Sequence, residues 1–167
     1  MEYFQIRQDD RAENSIIPQL PVHRDIWKEV QPIFLPAKAR NSKGYIHFLP
    51  FIEKPLQMVS DPVKRIIEMY QSKMLFKPCA VGNIEQKKVE VYWFMKPRVI
   101  ECLHGDTMYY PDGTLKEIYL SEAKIGFNKV FQVDCKRGEY LIIDSEVLER
   151  LFREGIHAFK ITPVKVM

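Results

Sequence analysis

LQMVSDPVKRIIEMYQSKMLFKPCAV (residues 56–81) and YLIIDSEVLERLFREGIHAFKITPVKV (residues 140–166) read as two versions of one pattern. Each opens on a short apolar strand, reaches a Ser/Asp helix start, and runs through a short amphipathic helix. Each then closes on a Phe-Lys strand ending in Pro and Val. Laid over each other, the copies slip by one residue where Pro78 should meet Pro163. In the first copy Asp61 and Pro62 are expected as N-cap and first-turn residues. A carboxylate accepts an orphan N–H there, and a proline loses no needed donor. Val63, Ile66, Ile67 and Tyr70 recur at i, i+3, i+4 and i+7 as one apolar stripe, and the helix is expected to end near Ser72. In the second copy the helix starts at Asp144 or Ser145 and is expected to bury Val147, Leu148, Leu151 and Phe152. Gly155 ends it, since glycine adopts the left-handed backbone at no steric cost.

Between the copies the period changes from 3.6 to 2. Val89, Val91, Trp93 and Met95 alternate with Glu90, Tyr92, Phe94 and Lys96, a strand expected to be buried substantially on both faces. Gly82-Asn83 supplies a turn before it, and Pro97 ends it. Val99 to Leu103 continues extended. Residues 107–110 and 115–120 flank Pro111-Asp112-Gly113, a hairpin turn in which proline fixes φ and glycine admits φ > 0. Further strands are expected at 129–133, 139–143 and 158–164. Ahead of the first copy, Pro18, Pro21, Pro32, Pro36, Pro50 and Pro55 break the chain into short apolar pieces. Proline lacks a backbone donor, so these pieces are expected as edge strands or extended packing segments. Residues 25–30 allow one helical turn carrying Trp27. The fold class that results is α+β: a mostly antiparallel β-sheet with two short amphipathic helices, in two related strand–helix–strand halves. A single domain over 1–167 is expected, with the proline-rich segments of 1–57 packed on a 58–167 α+β core.

Composition bounds the function classes. With 46% hydrophobic and 28% charged residues the chain is globular in type. No apolar run approaches the ~20 residues of a membrane span, so no membrane association is expected. The opening MEYFQIRQDD has acids where a signal peptide needs a basic start and an apolar core, which points to the cytoplasm. The three cysteines, Cys79, Cys102 and Cys135, suit reduced thiols rather than a disulfide framework. A net charge of +3 with acids interleaved is a mixed surface, and no nucleic-acid partner is expected.

Chemistry-bearing patterns are sparse. Cys102 and His104, two apart on an extended segment, would face the same way and offer half a metal site or a thiolate–imidazole pair. No second pair completes four zinc ligands. His23, His47 and His157 are scattered, and no phosphate-cradling loop or nucleophile elbow occurs. No catalytic, cofactor-binding or metal-ligating residues are therefore expected. An enzyme or small-ligand-binding domain built around Cys102 and His104 is the alternative reading. Lys38, Arg40 and Lys43, with Lys87-Lys88 and Lys136-Arg137, are candidates for a cationic patch. In Tyr92-Trp93-Phe94, alternation sends Trp93 to one face, and an exposed Tyr92 or Phe94 would suit an interface.

The order and spacing of several short pieces carry a resemblance. They are Val59-Ser60-Asp61 opening a helix, Phe76-Lys77-Pro78 after it, and Tyr92-Trp93 with Ile100-Glu101-Cys102. Phe131-Gln132-Val133, the helix start from Ile142 to Ser145, and Phe159 with Pro163-Val164 follow. This arrangement resembles bacterial immunity-protein family eleven, formerly a domain of unknown function, found beside polymorphic toxins. It covers roughly two-thirds of the chain. The chain departs from the family pattern at Gly155-Ile156-His157-Ala158 and in its proline-rich first third. The resemblance implies a non-catalytic immunity protein that binds and neutralises a cognate protein toxin; it carries over no functional residues. Irregular segments on a rigid sheet are where a specific partner is usually met. Lys38, Arg40, Lys43, Tyr45 and Phe48 are accordingly the expected partner-binding residues, with Phe51 as a further candidate anchor.

Overall fold

The computed structural model describes residues 1–21 and 24–167. In chain order the strands begin with β1 (Tyr3–Gln8), β2 (Ile17–Pro18), β3 (Ile33–Lys38), β4 (Phe51–Ile52) and β5 (Met58–Ser60). They continue with β6 (Leu75–Asn83), β7 (Lys88–Lys96), β8 (Val99–Ile100), β9 (Met108–Tyr109) and β10 (Leu115–Glu117). The last are β11 (Tyr119–Leu120), β12 (Val130–Val133), β13 (Leu141–Asp144) and β14 (Phe159–Val166). The helices are α1 (Asp61–Tyr70), the short α2 (Glu122–Ile125) and α3 (Ser145–Arg153), with one 3-10 turn at Ile26–Lys28. The expected α+β class is what the chain adopts.

Two six-stranded sheets carry the fold, in the orders β2-β3-β6-β7-β5-β4 and β11-β14-β1-β13-β12-β8. In the first, β5–α1–β6 is a strand–helix–strand unit with β7 inserted antiparallel between its strands. In the second, β13–α3–β14 is the same unit with β1 inserted. The register agrees residue by residue. Trp93 lies between Val59 and Pro78, as Phe4 lies between Ile143 and Pro163. Tyr92 beside Ser60 corresponds to Tyr3 beside Asp144. Outside each unit a parallel strand follows, pairing Leu35 with Val81 and Leu120 with Val166. Pro78 and Pro163 therefore occupy equivalent positions, and the one-residue slip falls between helix and strand. In each sheet the outer parallel strand starts only after the proline, where no partner needs its missing N–H. The inserted strand comes from after the unit in one half and from before it in the other.

Helices α1 and α3 pack into one cluster between the halves. Val63, Ile66 and Ile67 of α1 and Val147, Leu148 and Leu151 of α3 are buried there with Val59, Met95, Ile143 and Ile6. On the far face of the first sheet Leu35, Met58, Val81, Tyr92 and Phe94 form a second cluster with Ile26, Ile33 and Ile46. On the far face of the other sheet Tyr3, Leu120, Phe131 and Ile142 form a third, with Cys102. Each sheet is thus apolar on both faces near its centre, which accounts for strands that show little alternation.

Several local expectations are corrected. The N-cap of α1 is Ser60, with Asp61 already in the first turn; its Oδ1 accepts from Trp93 Nε1 at 2.9 Å. The pairings are mostly antiparallel, but β3–β6, β8–β12 and β11–β14 are parallel. Phe152 is half exposed and stacks on Phe159 instead of entering the core. Val89 and Val91 are exposed, because α1 covers their face of β7 only farther along, over Trp93 and Met95. The first third contributes more than packing segments, since β1 is an inner strand of its sheet.

Asp144 caps α3, its Oδ1 accepting from Val147 N at 3.0 Å, and its side chain is wholly buried. Oδ2 has no hydrogen-bond partner among the described residues, and Lys129 Nζ stands 3.9 Å away, nearer Glu146. Desolvation dominates and raises the carboxyl above its usual value of 3.8, with Glu146 adding to the rise and the Val147 N–H and Lys129 opposing it. Between 3.8 and the higher folded value the native state keeps a proton that the unfolded chain has lost. Stability therefore falls as pH rises through that interval. Asp144→Asn keeps a capping oxygen and removes the charge. Thermal melts should show the variant gaining on wild type from pH 4 to pH 7; an equal difference at both pH values would contradict this account.

Candidate functional site: an interaction surface at the end of the first sheet

The loop after β3 is held by side chains from two separate segments. Asn14 Oδ1 accepts from Asn41 N at 2.8 Å, and its Nδ2 donates to the carbonyls of Asn41 (2.8 Å) and Tyr45 (2.9 Å). Gln86 Nε2 donates to Ser42 O at 2.6 Å and Gly44 O at 2.7 Å, and Asn83 Nδ2 donates to Ala37 O at 3.1 Å. Gln86 is itself placed by Asn83 Oδ1, which accepts its backbone N–H at 2.9 Å. The loop therefore lies strapped to the β6–β7 turn. A surface ordered in advance gives up less entropy on binding.

Of the residues expected to meet a partner, Lys38, Arg40, Lys43 and Tyr45 are exposed. Lys38 and Arg40 line a cleft of about 610 Å³ with Pro36, Gly82, Asn83 and Ile84. Tyr45 is 71% exposed; Lys88 Nζ stands 5.2 Å from its ring centroid and the His47 ring 4.8 Å away. Phe48 is half-buried against the second core cluster, and Phe51 is buried in the first. Tyr92 and Phe94 are buried too, with the Tyr92 hydroxyl donating to Leu49 O at 2.7 Å. None of these four is a free anchor. Lys88 joins Tyr45, whereas Arg137 lies by Gly113 in the other half of the molecule; the basic turns do not form one patch.

An apolar strip adjoins the loop. The register sets Phe34, Ala80 and Val91 in one rank across β3, β6 and β7, and Pro36, Gly82 and Val89 in the next. Strand alternation puts all six on the face that α1 covers farther along. Here α1 does not reach, leaving Phe34 47%, Val89 59% and Val91 51% exposed. Gly82 matters sterically. A Cβ there would stand 2.9 Å from Phe34 Cζ and 3.2 Å from Val89 Cγ2, so its absence lets the ring lie down beside the valine. Lys38 follows Phe34 and Pro36 on the same face of β3. The strip thus ends in cations. Contiguous exposed apolar area with a polar rim is the usual mark of a protein contact.

The alternative cluster has a different environment. Cys102 is fully buried in the third core cluster, and burial pushes its thiol up to about 11. A thiolate nucleophile needs the opposite shift. His104 Nδ1 stands 3.4 Å from Asp106 in a turn, on a segment that leaves β8 at Ile100 and so does not continue the strand. Burial likewise raises Cys79 to about 12. Among the described residues no group of three or more His, Cys, Asp or Glu is arranged to hold a metal ion; His23 lies outside those residues. Nor is any helix among them long and apolar enough to cross a membrane. No family model matches the chain, and neither does any curated protein.

Proposed function

We propose that the chain is a non-catalytic immunity protein. It binds a cognate protein toxin through the apolar strip of the first sheet and the cationic loop beside it. The observation that carries this reading is the uncovered rank Phe34–Ala80–Val91 and Pro36–Gly82–Val89 beside Lys38 and Arg40. An apolar centre supplies the contact energy, and the cations at its end select an acidic partner and speed its approach. Bacterial immunity is the role that the sequence resemblance implies, and the cytoplasm is where such a protein would meet an incoming toxin. The buried Cys102 thiol makes the competing enzymatic reading the weaker one.

Val91→Glu and Lys38→Glu test the surface. Both residues are exposed, so melting temperatures should stay near wild type. Affinity for the toxin encoded next to this chain's own gene should fall by about 30-fold for Val91→Glu, the ~2 kcal/mol of a hot-spot loss. Unchanged affinity in both variants would rule this surface out.

A further inference from the structure

The outer face of the other sheet carries a charged cleft that the toxin-binding reading does not use. In the β1–β14 pairing Arg7 lies directly opposite Lys160, and Gln5 opposite Thr162. Phe4, Ile6, Phe159 and Ile161 alternate with them and turn to the shared core, so these four share the other face. Like charges directly opposite work against strand pairing. Each has one carboxylate, Glu53 at 3.4 Å from Arg7 and Asp10 at 2.7 Å from Lys160. Around this floor the β9–β10 hairpin, the turn after β4 and the segment before β13 close a cleft of about 630 Å³. That is within the range of small-molecule sites. Lys54 and Lys116 also line it and form no ion pair among the described residues, so four cations stand against three carboxylates, Glu53, Glu139 and the Asp10 that pairs with Lys160.

One wall is fixed in place. Tyr140 Oη accepts from Leu115 N at 2.9 Å, which leaves its own O–H for another acceptor. Its ring lies over Gly138, at φ +95°, where a Cβ would come within 2.8 Å of the ring. A concave, low-dielectric wall concentrates the field of the cations it carries. We propose that this cleft binds a small organic phosphate, with the dianionic head among Arg7, Lys54, Lys116 and Lys160 and accepting from the Tyr140 hydroxyl. A carboxylate presents two oxygens in one plane and is satisfied by one guanidinium. Cations arriving from four separate segments suit a tetrahedral dianion. The cleft lies on the other sheet from the apolar strip, so either assignment stands if the other fails.

The test is calorimetric titration of the whole chain with inorganic pyrophosphate, and with citrate as a carboxylate of similar charge. Saturable pyrophosphate binding is expected, weakened at least tenfold by Lys54→Gln and by Lys116→Gln and left unchanged by Lys38→Gln in the other half. Lys54 and Lys116 are exposed, so the variants should fold and melt as wild type does. Absence of saturable binding at millimolar pyrophosphate, or equal weakening by Lys38→Gln, would overturn the site. Equal binding of citrate would overturn the phosphate assignment.

Discussion

Ile67→Asp is expected to destabilise the protein by about 4 kcal/mol or more, and Leu151→Asp to do the same. Ile67 and Leu151 are each 3% exposed and lie in the one cluster to which both helices contribute. Truncating such a side chain costs roughly 2–5 kcal/mol in lost burial and cavity, before the carboxylate is considered. A carboxylate placed in that apolar cluster must be desolvated or protonated at further cost. Against the 5–15 kcal/mol of a typical domain this is a large share. For a chain of this size it should lower the midpoint of thermal unfolding by roughly 8–16 °C. Melts within a degree or two of wild type would place these residues outside the core. The two substitutions also test the repeat, since each strikes the helix of one half at a shared cluster.

Phe131→Ala is expected to cost roughly 3–5 kcal/mol. Phe131 has no exposed surface and meets Tyr3 edge to face, with centroids 5.9 Å apart and planes at 67°. It faces the third cluster from β12, so its removal opens a cavity beneath the strand that the N-terminal segment inserts. If that cluster were only a satellite, the loss would be near 1 kcal/mol, and denaturant unfolding separates the two values. A loss of the larger size would also show that β1 is pinned from its outer face as well as through its backbone.

Helices α1 and α3 were legible because period and burial coincide; the four-residue α2 is too short to show a period and was not expected. Val63, Ile66 and Ile67 repeat at the helical spacing and all enter the core. Phe152 broke the rule because its place on α3 falls at the end of the covered stripe, where Phe159 gives it a partner without burying it. The insertion of Tyr3–Gln8 between β13 and β14 has no local signature. Strand pairing across the length of the chain depends on the assembled halves, and a six-residue strand of mixed apolar and polar residues reads the same wherever it docks. Proline placement was legible only as a rule about missing donors. That Pro78 and Pro163 sit in inner strands became intelligible once the outer strands were seen to begin just after them.

The candidate site was legible in its charges and opaque in its apolar part. A polar, cationic stretch is exposed in almost any fold, so Lys38 at the end of β3 and Arg40, Lys43 and Tyr45 after it were readable as exposed from the sequence. The exposure of Val89 and Val91 depends on how far α1 reaches over β7, which alternation along β7 cannot express; it predicts burial there. Asn14 straps the loop from one distant segment, and Asn83 and Gln86 from another. Only Gly82-Asn83 gave a signal, read as a turn; both residues instead end β6, and the turn follows at 84–87.

The central claim is that this chain acts by binding a toxin. Its most direct test is co-expression with the toxin gene adjacent to its own in cells that the toxin alone kills. The account predicts restored growth together with co-purification of the two proteins at a fixed stoichiometry. Continued killing with no co-purification, by a toxin shown to be active, would contradict it.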